Sequence, residues 1–175
     1  GYHTDHSNDA NPPKATILHA KMLPSSGGDT QFVNMHLVYK ALPTGLKNKI
    51  KNLEALHVYQ SSHSKRKLMS LRNMKNKQPE VTHPLVRIHP ENKKTCLYIN
   101  PIRIEKIINL STKETIELLD ELMLYVRKPE NEYRHKWKDG DFVICDNRIL
   151  MHKANGDYNM NEDRYLYRIM IQNEL

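Results

Sequence analysis

The sequence is poor in cysteine and in long apolar runs. Its 175 residues include two cysteines, Cys96 and Cys145, which cannot form a disulfide framework and favour a reducing compartment. No stretch approaches the roughly 20 apolar residues that a membrane helix needs, and the first residues are polar, unlike those of a signal peptide. We therefore expect a cytoplasmic protein without a membrane partner.

Acidic residues are also fewer than basic ones. The chain has 20 Asp and Glu and 27 Lys and Arg, which gives a formal net charge of +7. The densest basic run extends from Lys65 to Lys77 with no acid inside it. Such a run suits either a nucleic-acid surface or a solvated loop. No aromatic residues interleave with it for base stacking, so we favour the loop and expect no nucleic-acid partner.

The composition is that of a globular domain, with 38% hydrophobic and 27% charged residues. The length suits one domain over residues 1–175 with a sizeable core. Apolar alternation and short apolar runs between turn residues predict many short strands and a few helices. The predicted strands cover residues 15–23, 30–33 (or the start of the next helix), 55–59, 83–90, 95–99, 142–145, 149–152 and 165–171. The predicted helices cover residues 35–42, 46–53 and 111–127. This order indicates a mainly β (α+β) fold, a sandwich or jelly roll with covering helices.

The third predicted helix has the clearest boundaries. Ser111-Thr112-Lys113-Glu114 has the form of a capping box, and Pro129 stops the helix. Its apolar residues fall at helical spacing on one face, and they are Ile116, Leu119, Leu122, Met123 and Val126.

Three residues at opposite ends of the chain suggest a metal site. His3, Asp5 and His152 supply two imidazoles and a carboxylate, the ligand set of non-haem Fe(II) oxygenases, which leaves coordination positions open for a co-substrate and O₂. In a strand, residues i and i+2 face the same side, so His3 and Asp5 could face one metal ion. An arginine after the last ligand, such as Arg168, would suit the far carboxylate of a 2-oxo diacid.

An ordered series of motifs surrounds these three residues. It comprises HTD at 3–5, PP at 12–13, GGDT at 27–30, HPLVRIHP at 83–90, WKDGDFVICDNRILMH at 137–152, and Arg164 and Arg168. The series resembles the TauD/TfdA family, the taurine dioxygenase type of Fe(II)/2-oxoglutarate-dependent dioxygenase. The resemblance extends from His3 to Ile171 and implies a double-stranded β-helix (jelly roll, cupin-like).

The resemblance also implies roles for single residues. His3, Asp5 and His152 would be the iron ligands and the catalytic centre. Thr30 would hydrogen-bond a carboxylate oxygen of 2-oxoglutarate, and Arg168 would pair with its distal carboxylate. On a strand, Arg164 and Arg168 would share a face, so Arg164 could support the same anion. The alternative is that Arg164 forms a surface ion pair.

Other residues in these motifs receive structural interpretations. Trp137 and Cys145 are expected in the core. Asp146 and Asn147 are expected to order a turn. The remaining histidines that invite a ligand role are expected to be structural or on the surface, and these are His6, His63, His83 and His89.

The sequence departs from the family pattern in two places. Family members are longer and carry a segment before the HTD motif, so we expect this domain to lack an N-terminal segment. Polar residues 7–9 stand where taurine dioxygenases have an aromatic residue, and Arg103 stands where they have a phenylalanine. Asn8 and Arg103 are therefore candidate substrate residues. Arg103 in the pocket would favour an anionic substrate, whereas the alternative is that it points to solvent.

The resemblance implies a dioxygenase that uses Fe(II), 2-oxoglutarate and O₂. It would hydroxylate a small polar or anionic molecule and release succinate and CO₂. The alternative is a truncated, non-catalytic jelly-roll remnant with a partial metal site. The partner is a small-molecule substrate in the first case, and the oligomeric state is left open, with a homo-oligomer as one alternative.

Overall fold

The computed structural model describes residues 1–64 and 80–173, which form eleven strands and three α-helices. The basic run from Lys65 to Lys77 lies outside the described residues, so its interpretation stays a prediction. The strands are β1 (Ala15–Met22), β2 (Thr30–Asn34), β3 (Glu54–His57), β4 (Val81–Pro84), β5 (Val86–Ile88), β6 (Thr95–Leu97), β7 (Ile104–Ile107), β8 (Glu132–His135), β9 (Phe142–Asp146), β10 (Leu150–Ala154) and β11 (Tyr165–Ile171). The helices are α1 (Met35–Ala41), α2 (Thr44–Ile50) and α3 (Thr112–Val126).

Two antiparallel sheets surround the first residues of the chain, which carry His3 and Asp5. The first has the strand order β11-β1-β9 and the second β10-β2-β8. A third sheet, β4-β3-β7, and the hairpin β5-β6 complete the strands. The mainly β fold with helices is confirmed, whereas the double-stranded β-helix stays a prediction.

The register of the first sheet decides which side chains meet. Thr16 of β1 pairs with Cys145 of β9, and Leu18 pairs with Arg168 of β11. Directly paired residues project from the same face of a sheet, and so do residues i and i+2 of one strand. Thr16, Leu18 and Arg168 therefore share one face of this sheet.

One predicted strand is two strands in the structure. Residues 83–90 divide at Leu85, because β4 pairs with β3 whereas β5 pairs with β6. Leu85 is fully buried, and its backbone bonds go to Leu53 and Tyr98 rather than into either ladder. Strands β7 and β8 were not predicted. Strand β7 is only four residues long, and β8 has no alternation of apolar residues.

The three helices pack with β6 and β7 around the main apolar core. The capping box is present, since the Ser111 hydroxyl accepts from the Glu114 N–H and the Glu114 carboxylate accepts from the Ser111 N–H. The predicted apolar face is wrong at Ile116, which is 36% exposed, while Leu118 is buried. Among the described helices, none has the length and apolar character to cross a membrane.

Two leucines of α3 offer a matched test of this core. Leu122 is 0% exposed and Leu124 is 63% exposed. Leu122→Ala should lower the free energy of unfolding by about 2–5 kcal/mol, because it leaves a cavity. Leu124→Ala should change it by no more than about 0.5 kcal/mol. Urea unfolding measures both, and equal losses would contradict this placement of α3.

Candidate active site

The three expected metal ligands lie together. His3 Nε2 is 4.0 Å from Asp5 Oδ1, and His152 Nε2 is 3.9 Å from Asp5 Oδ2. One ligand atom from each residue lies within 4.8 Å of the others. These separations are too long for hydrogen bonds. They leave room between the three atoms for a cation bound at about 2.0–2.2 Å from each ligand.

A short backbone pairing joins the first residues to β10. His3 and His152 form an isolated antiparallel bridge, with N–O distances of 3.0 and 2.8 Å. Asp5 lies in the turn that follows, so its carboxylate reaches the site through the turn and not through the side-chain alternation of a strand. The bridge sets the two imidazoles side by side, and the turn brings the carboxylate back toward them.

Asp5 is held by a chain of hydrogen bonds to the first sheet. The Thr16 hydroxyl donates to Asp5 Oδ2 at 2.7 Å, and Asn147 Nδ2 donates to the Thr16 hydroxyl at 2.9 Å. Asn147 thus helps to orient Asp5, a candidate metal ligand, in addition to its place in the turn between β9 and β10. Thr16 was missed in the sequence, although its place on the same strand face as Leu18 and Ala20 was a usable signal.

The ionisation of the site suits a metal ligand set. Burial would raise the pKa of Asp5, but His152, Thr16, His3 and Arg168 outweigh it and hold that pKa below its ordinary value. Burial lowers the pKa of His152, although Asp5 opposes this, and so favours the neutral imidazole. A charged carboxylate and neutral imidazoles are the forms that bind metal.

The hydrogen bonds of the rings also bear on ligation. Nδ1 of His3 lies 3.1 Å from the Gly1 carbonyl oxygen, which can only accept, so we assign the proton to Nδ1. The lone pair of Nε2 then faces Asp5, as a metal ligand requires. Nδ1 of His152 is buried and has no hydrogen-bond partner within residues 1–64 and 80–173. The residues present fit a divalent cation in the two-histidine, one-carboxylate arrangement.

Thr30 and Arg164 form a second group beside the metal ligands. Thr30 begins β2, two residues before Phe32, which pairs with His152. Arg164 Nη2 is 3.5 Å from Thr30 Oγ1, and Arg164 Nε donates to the Gly28 carbonyl at 2.8 Å. Gly28 has a φ of +68°, and a Cβ there would lie 3.1 Å from Arg164 Cδ and Nε. The glycine therefore lets the guanidinium approach the backbone closely.

Arg168 lies apart from this pair. Its Nη1 is 3.4 Å from Asp5 Oδ1, and its side chain is 51% exposed. The structure thus places Arg164 beside Thr30 and Arg168 beside Asp5, and the expectation that Thr30 and Arg168 bind 2-oxoglutarate stays a prediction. Within residues 1–64 and 80–173, Arg164 forms no surface ion pair, and its hydrogen bonds go to Gly28 and Thr30.

The two candidate substrate residues differ in their surroundings. Arg103 is half-buried, donates to the Tyr59 carbonyl and lies 4.7 Å from the centre of the Tyr59 ring. Burial lowers the pKa of Arg103, while Tyr59, Asp9 and Asp5 raise it. The Arg103 guanidinium is therefore held against Tyr59. Asn8 is buried and donates to Asp9 at 3.3 Å, so it is placed to order the turn.

Several structural interpretations from the sequence can also be located. Cys145 is buried, as expected, and His89 and His83 make structural contacts to Asp146 and to the Asp9 carbonyl. The expectation that Trp137 is a core residue is wrong. It is partly buried, and its indole N–H donates to the Thr30 hydroxyl at 3.0 Å.

Comparison with known proteins identifies relatives over almost the whole chain. The model of the "Taurine catabolism dioxygenase TauD, TfdA family" matches residues 1–170. An "Alpha-ketoglutarate-dependent sulfonate dioxygenase" of Saccharomyces cerevisiae is 34% identical over 99% of this chain and 42% of its own length. An "Alpha-ketoglutarate-dependent 2,4-dichlorophenoxyacetate dioxygenase" of Burkholderia sp. is 33% identical over 95% of this chain and 56% of its own length. The chain thus spans about half the length of these relatives.

Solved structures match the fold over almost the whole chain. AAD-2 in complex with Mn(II) and N-oxalylglycine matches with a TM-score of 0.86 at 30% identity, over 98% of this chain and 68% of that one. A taurine dioxygenase from Burkholderia xenovorans matches with a TM-score of 0.85 at 31% identity, over 99% of this chain and 59% of that one.

Metal binding at the three ligands can be tested without turnover. Mn(II) should raise the melting temperature of the protein, because a ligand that binds only the folded state stabilises it. Asp5→Asn should abolish most of this rise, since the amide supplies no charge to the cation. Asp139→Asn, at an exposed position, should keep the full rise. Differential scanning calorimetry with and without Mn(II) measures the effect, and an undiminished rise in Asp5→Asn would contradict the site.

Proposed function

Because the chain belongs to the taurine catabolism dioxygenase TauD, TfdA family, we propose that it forms the catalytic site of an Fe(II)- and 2-oxoglutarate-dependent dioxygenase. The observation that carries the proposal is the convergence of His3, Asp5 and His152 on one point beside Thr30 and Arg164. The proposed reaction hydroxylates a small anionic molecule and releases succinate and CO₂.

His3, Asp5 and His152 would hold the metal on one face and leave its other face open. Iron(II) bound there would supply the O₂ activation that couples decarboxylation of 2-oxoglutarate to oxidation of a substrate C–H bond. The protein's task is to keep the ligands in place, and Thr16 and Asn147 do this by fixing the Asp5 carboxylate.

Thr30 and Arg164 would bind the distal carboxylate of 2-oxoglutarate. A guanidinium donates two parallel hydrogen bonds to a carboxylate, and a hydroxyl can add a third. Arg164 makes no ion pair with an acid among the described residues, and its hydrogen bonds to Gly28 and Thr30 leave donors for a ligand. We therefore assign to Arg164 the role that the sequence suggested for Arg168.

Arg168 and Arg103 would face the substrate. Arg168 Nη1 lies 3.4 Å from Asp5 Oδ1. Arg103 belongs to the turn after Asn100, whose side chain donates to the carbonyl of Thr4, the residue before Asp5. Two cations on this side favour an anionic substrate. The relatives support an anionic substrate, since they include a sulfonate dioxygenase, a 2,4-dichlorophenoxyacetate dioxygenase and a sulfate ester dioxygenase.

Succinate production tests the activity directly. The protein with Fe(II), 2-oxoglutarate and a panel of small sulfonates, sulfate esters and aryloxy carboxylates should form succinate, and one class should stimulate it. His3→Ala and His152→Ala should each abolish succinate formation, because two ligands hold the metal poorly. His19→Ala, on the opposite face of β1, should retain it.

The non-catalytic alternative makes the opposite prediction for the same assay. A remnant would form no succinate with any member of the panel, even when Mn(II) raises its melting temperature. The combination of metal binding without turnover would therefore favour the remnant.

The division between the two arginines has its own test. Arg164→Met should weaken 2-oxoglutarate binding roughly tenfold to 100-fold, because charge-assisted hydrogen bonds contribute about 1.5–3 kcal/mol. Arg168→Met should weaken it far less. Calorimetric titration of the Mn(II)-loaded variants gives both dissociation constants. A larger loss in Arg168→Met would restore the assignment made from the sequence.

A further inference from the structure

The hydrogen-bonding capacity of the Thr30 hydroxyl is almost fully used. A threonine hydroxyl has one proton to donate and two lone pairs that accept. The indole N–H of Trp137 donates to it at 3.0 Å, and Arg164 Nη2 approaches at 3.5 Å, the long end of a hydrogen bond. Both groups can only donate. The hydroxyl proton remains, and no acceptor for it is recorded within the described part of the chain.

The Trp137 ring is held in place by His135. The His135 ring meets the Trp137 ring edge to face, with 4.5 Å between centroids and an interplanar angle of 84°. His135 Nε2 donates to Asp141 Oδ2 at 3.0 Å, and the same oxygen accepts from the Lys138 N–H at 2.8 Å. His135 also lies directly opposite Thr30 in the pairing of β2 with β8. These contacts fix the indole relative to Thr30.

We propose that Trp137 is a positioning residue that makes the Thr30 hydroxyl a hydrogen-bond donor toward the distal carboxylate of 2-oxoglutarate. This inference rests on the proposed function, since it needs a carboxylate beside Thr30. The indole occupies one lone pair of the hydroxyl and Arg164 the other, so the proton points into the space that the carboxylate enters. Trp137 therefore acts on the co-substrate through Thr30.

A double-mutant cycle separates this role from simple packing. The dissociation constant of 2-oxoglutarate is measured by calorimetry for the Mn(II)-loaded protein, Trp137→Phe, Thr30→Val and the double variant. Thr30→Val should weaken binding roughly tenfold, the worth of a hydrogen bond to a charged group. Trp137→Phe should weaken it about threefold to tenfold, because it frees the hydroxyl to rotate. The double variant should bind as Thr30→Val does.

Matched variants keep the test independent of folding. In a Thr30→Ser background, which keeps the hydroxyl, Trp137→Phe should again weaken binding. Phe142→Leu truncates an exposed aromatic side chain of β9 and should leave the dissociation constant unchanged. In turnover, Trp137→Phe should raise the KM for 2-oxoglutarate and leave kcat at saturation within about twofold, since it alters binding rather than the reacting atoms.

The single tryptophan of the chain gives an independent readout. Because Trp137 contacts Thr30, 2-oxoglutarate should change the tryptophan emission of the Mn(II)-loaded protein, and the change should follow the calorimetric dissociation constant. Thr30→Val should shift the titration midpoint to higher concentration.

The outcomes distinguish the role of Trp137 from the proposed dioxygenase function. An unchanged dissociation constant in Trp137→Phe, or losses that multiply in the double variant, would overturn the role of Trp137 and leave the dioxygenase assignment intact. A protein that does not bind 2-oxoglutarate with Mn(II) at all would overturn both.

Discussion

The buried carboxylate of Asp5 is the constraint on which the site depends. The residue is 5% exposed, and an isolated charge at such a depth would be strongly unfavourable. Thr16, Arg168 and the two imidazoles surround it and keep its pKa low. These groups come from the N-terminal turn, β1, β10 and β11, so satisfying one charge brings four parts of the chain together. A divalent cation would complete the same compensation.

The two faces of the β11-β1-β9 sheet have different surroundings. The face that carries Thr16 and Arg168 is turned toward the site, and these two residues contact Asp5 from it. The other face of β11 presents Tyr165, Tyr167 and Ile169, which are 52%, 48% and 61% exposed. On the inner face of β11, Leu166 and Met170 are partly buried and Arg168 contacts Asp5. This strand therefore contributes a charged group to the site, while large apolar side chains of its outer face are exposed.

The sequence allowed much of the fold to be predicted where the local signal was strong. The cap of α3 and the strand of residues 165–171 needed only neighbouring residues, and both are present. Strand β8 was missed because its residues, Glu132 to His135, are stabilised by pairing with β2 instead of by an apolar pattern. The division at Leu85 was missed for a similar reason, since it depends on which strands lie beside it.

The same distinction applies to the candidate site. His3, Asp5 and His152 could be chosen from residue type and order, and the structure places them together. The partners of the two arginines could not be predicted. Arg168 lies in β11 and Arg164 directly precedes it, so the same side chain occurs twice within five residues. The two arginines differ in their position along the chain. Arg168 reaches Asp5 from within β11, whereas Arg164 lies four residues earlier, next to Thr30. Trp137 was misjudged because an aromatic residue between polar neighbours gives no indication of its hydrogen-bond partner.

The backbone of the Gly27-Gly28-Asp29-Thr30 segment is tightly constrained beside Thr30 and Arg164. A Cβ at Gly27 would lie 2.3 Å from the Asp157 carbonyl oxygen, so only glycine fits there. The Gly28 N–H donates to the Asp157 carboxylate, and Asp157 and Asp29 both bind Arg134 of β8. The turn is therefore tied to β8 on one side while it holds Arg164 and Thr30 on the other. Because β8 also leads to Trp137, the two groups that set the Thr30 hydroxyl, the indole and the guanidinium, are positioned by the same piece of backbone. A substitution in this turn should therefore disturb both contacts to Thr30 together, whereas a substitution at Trp137 disturbs one.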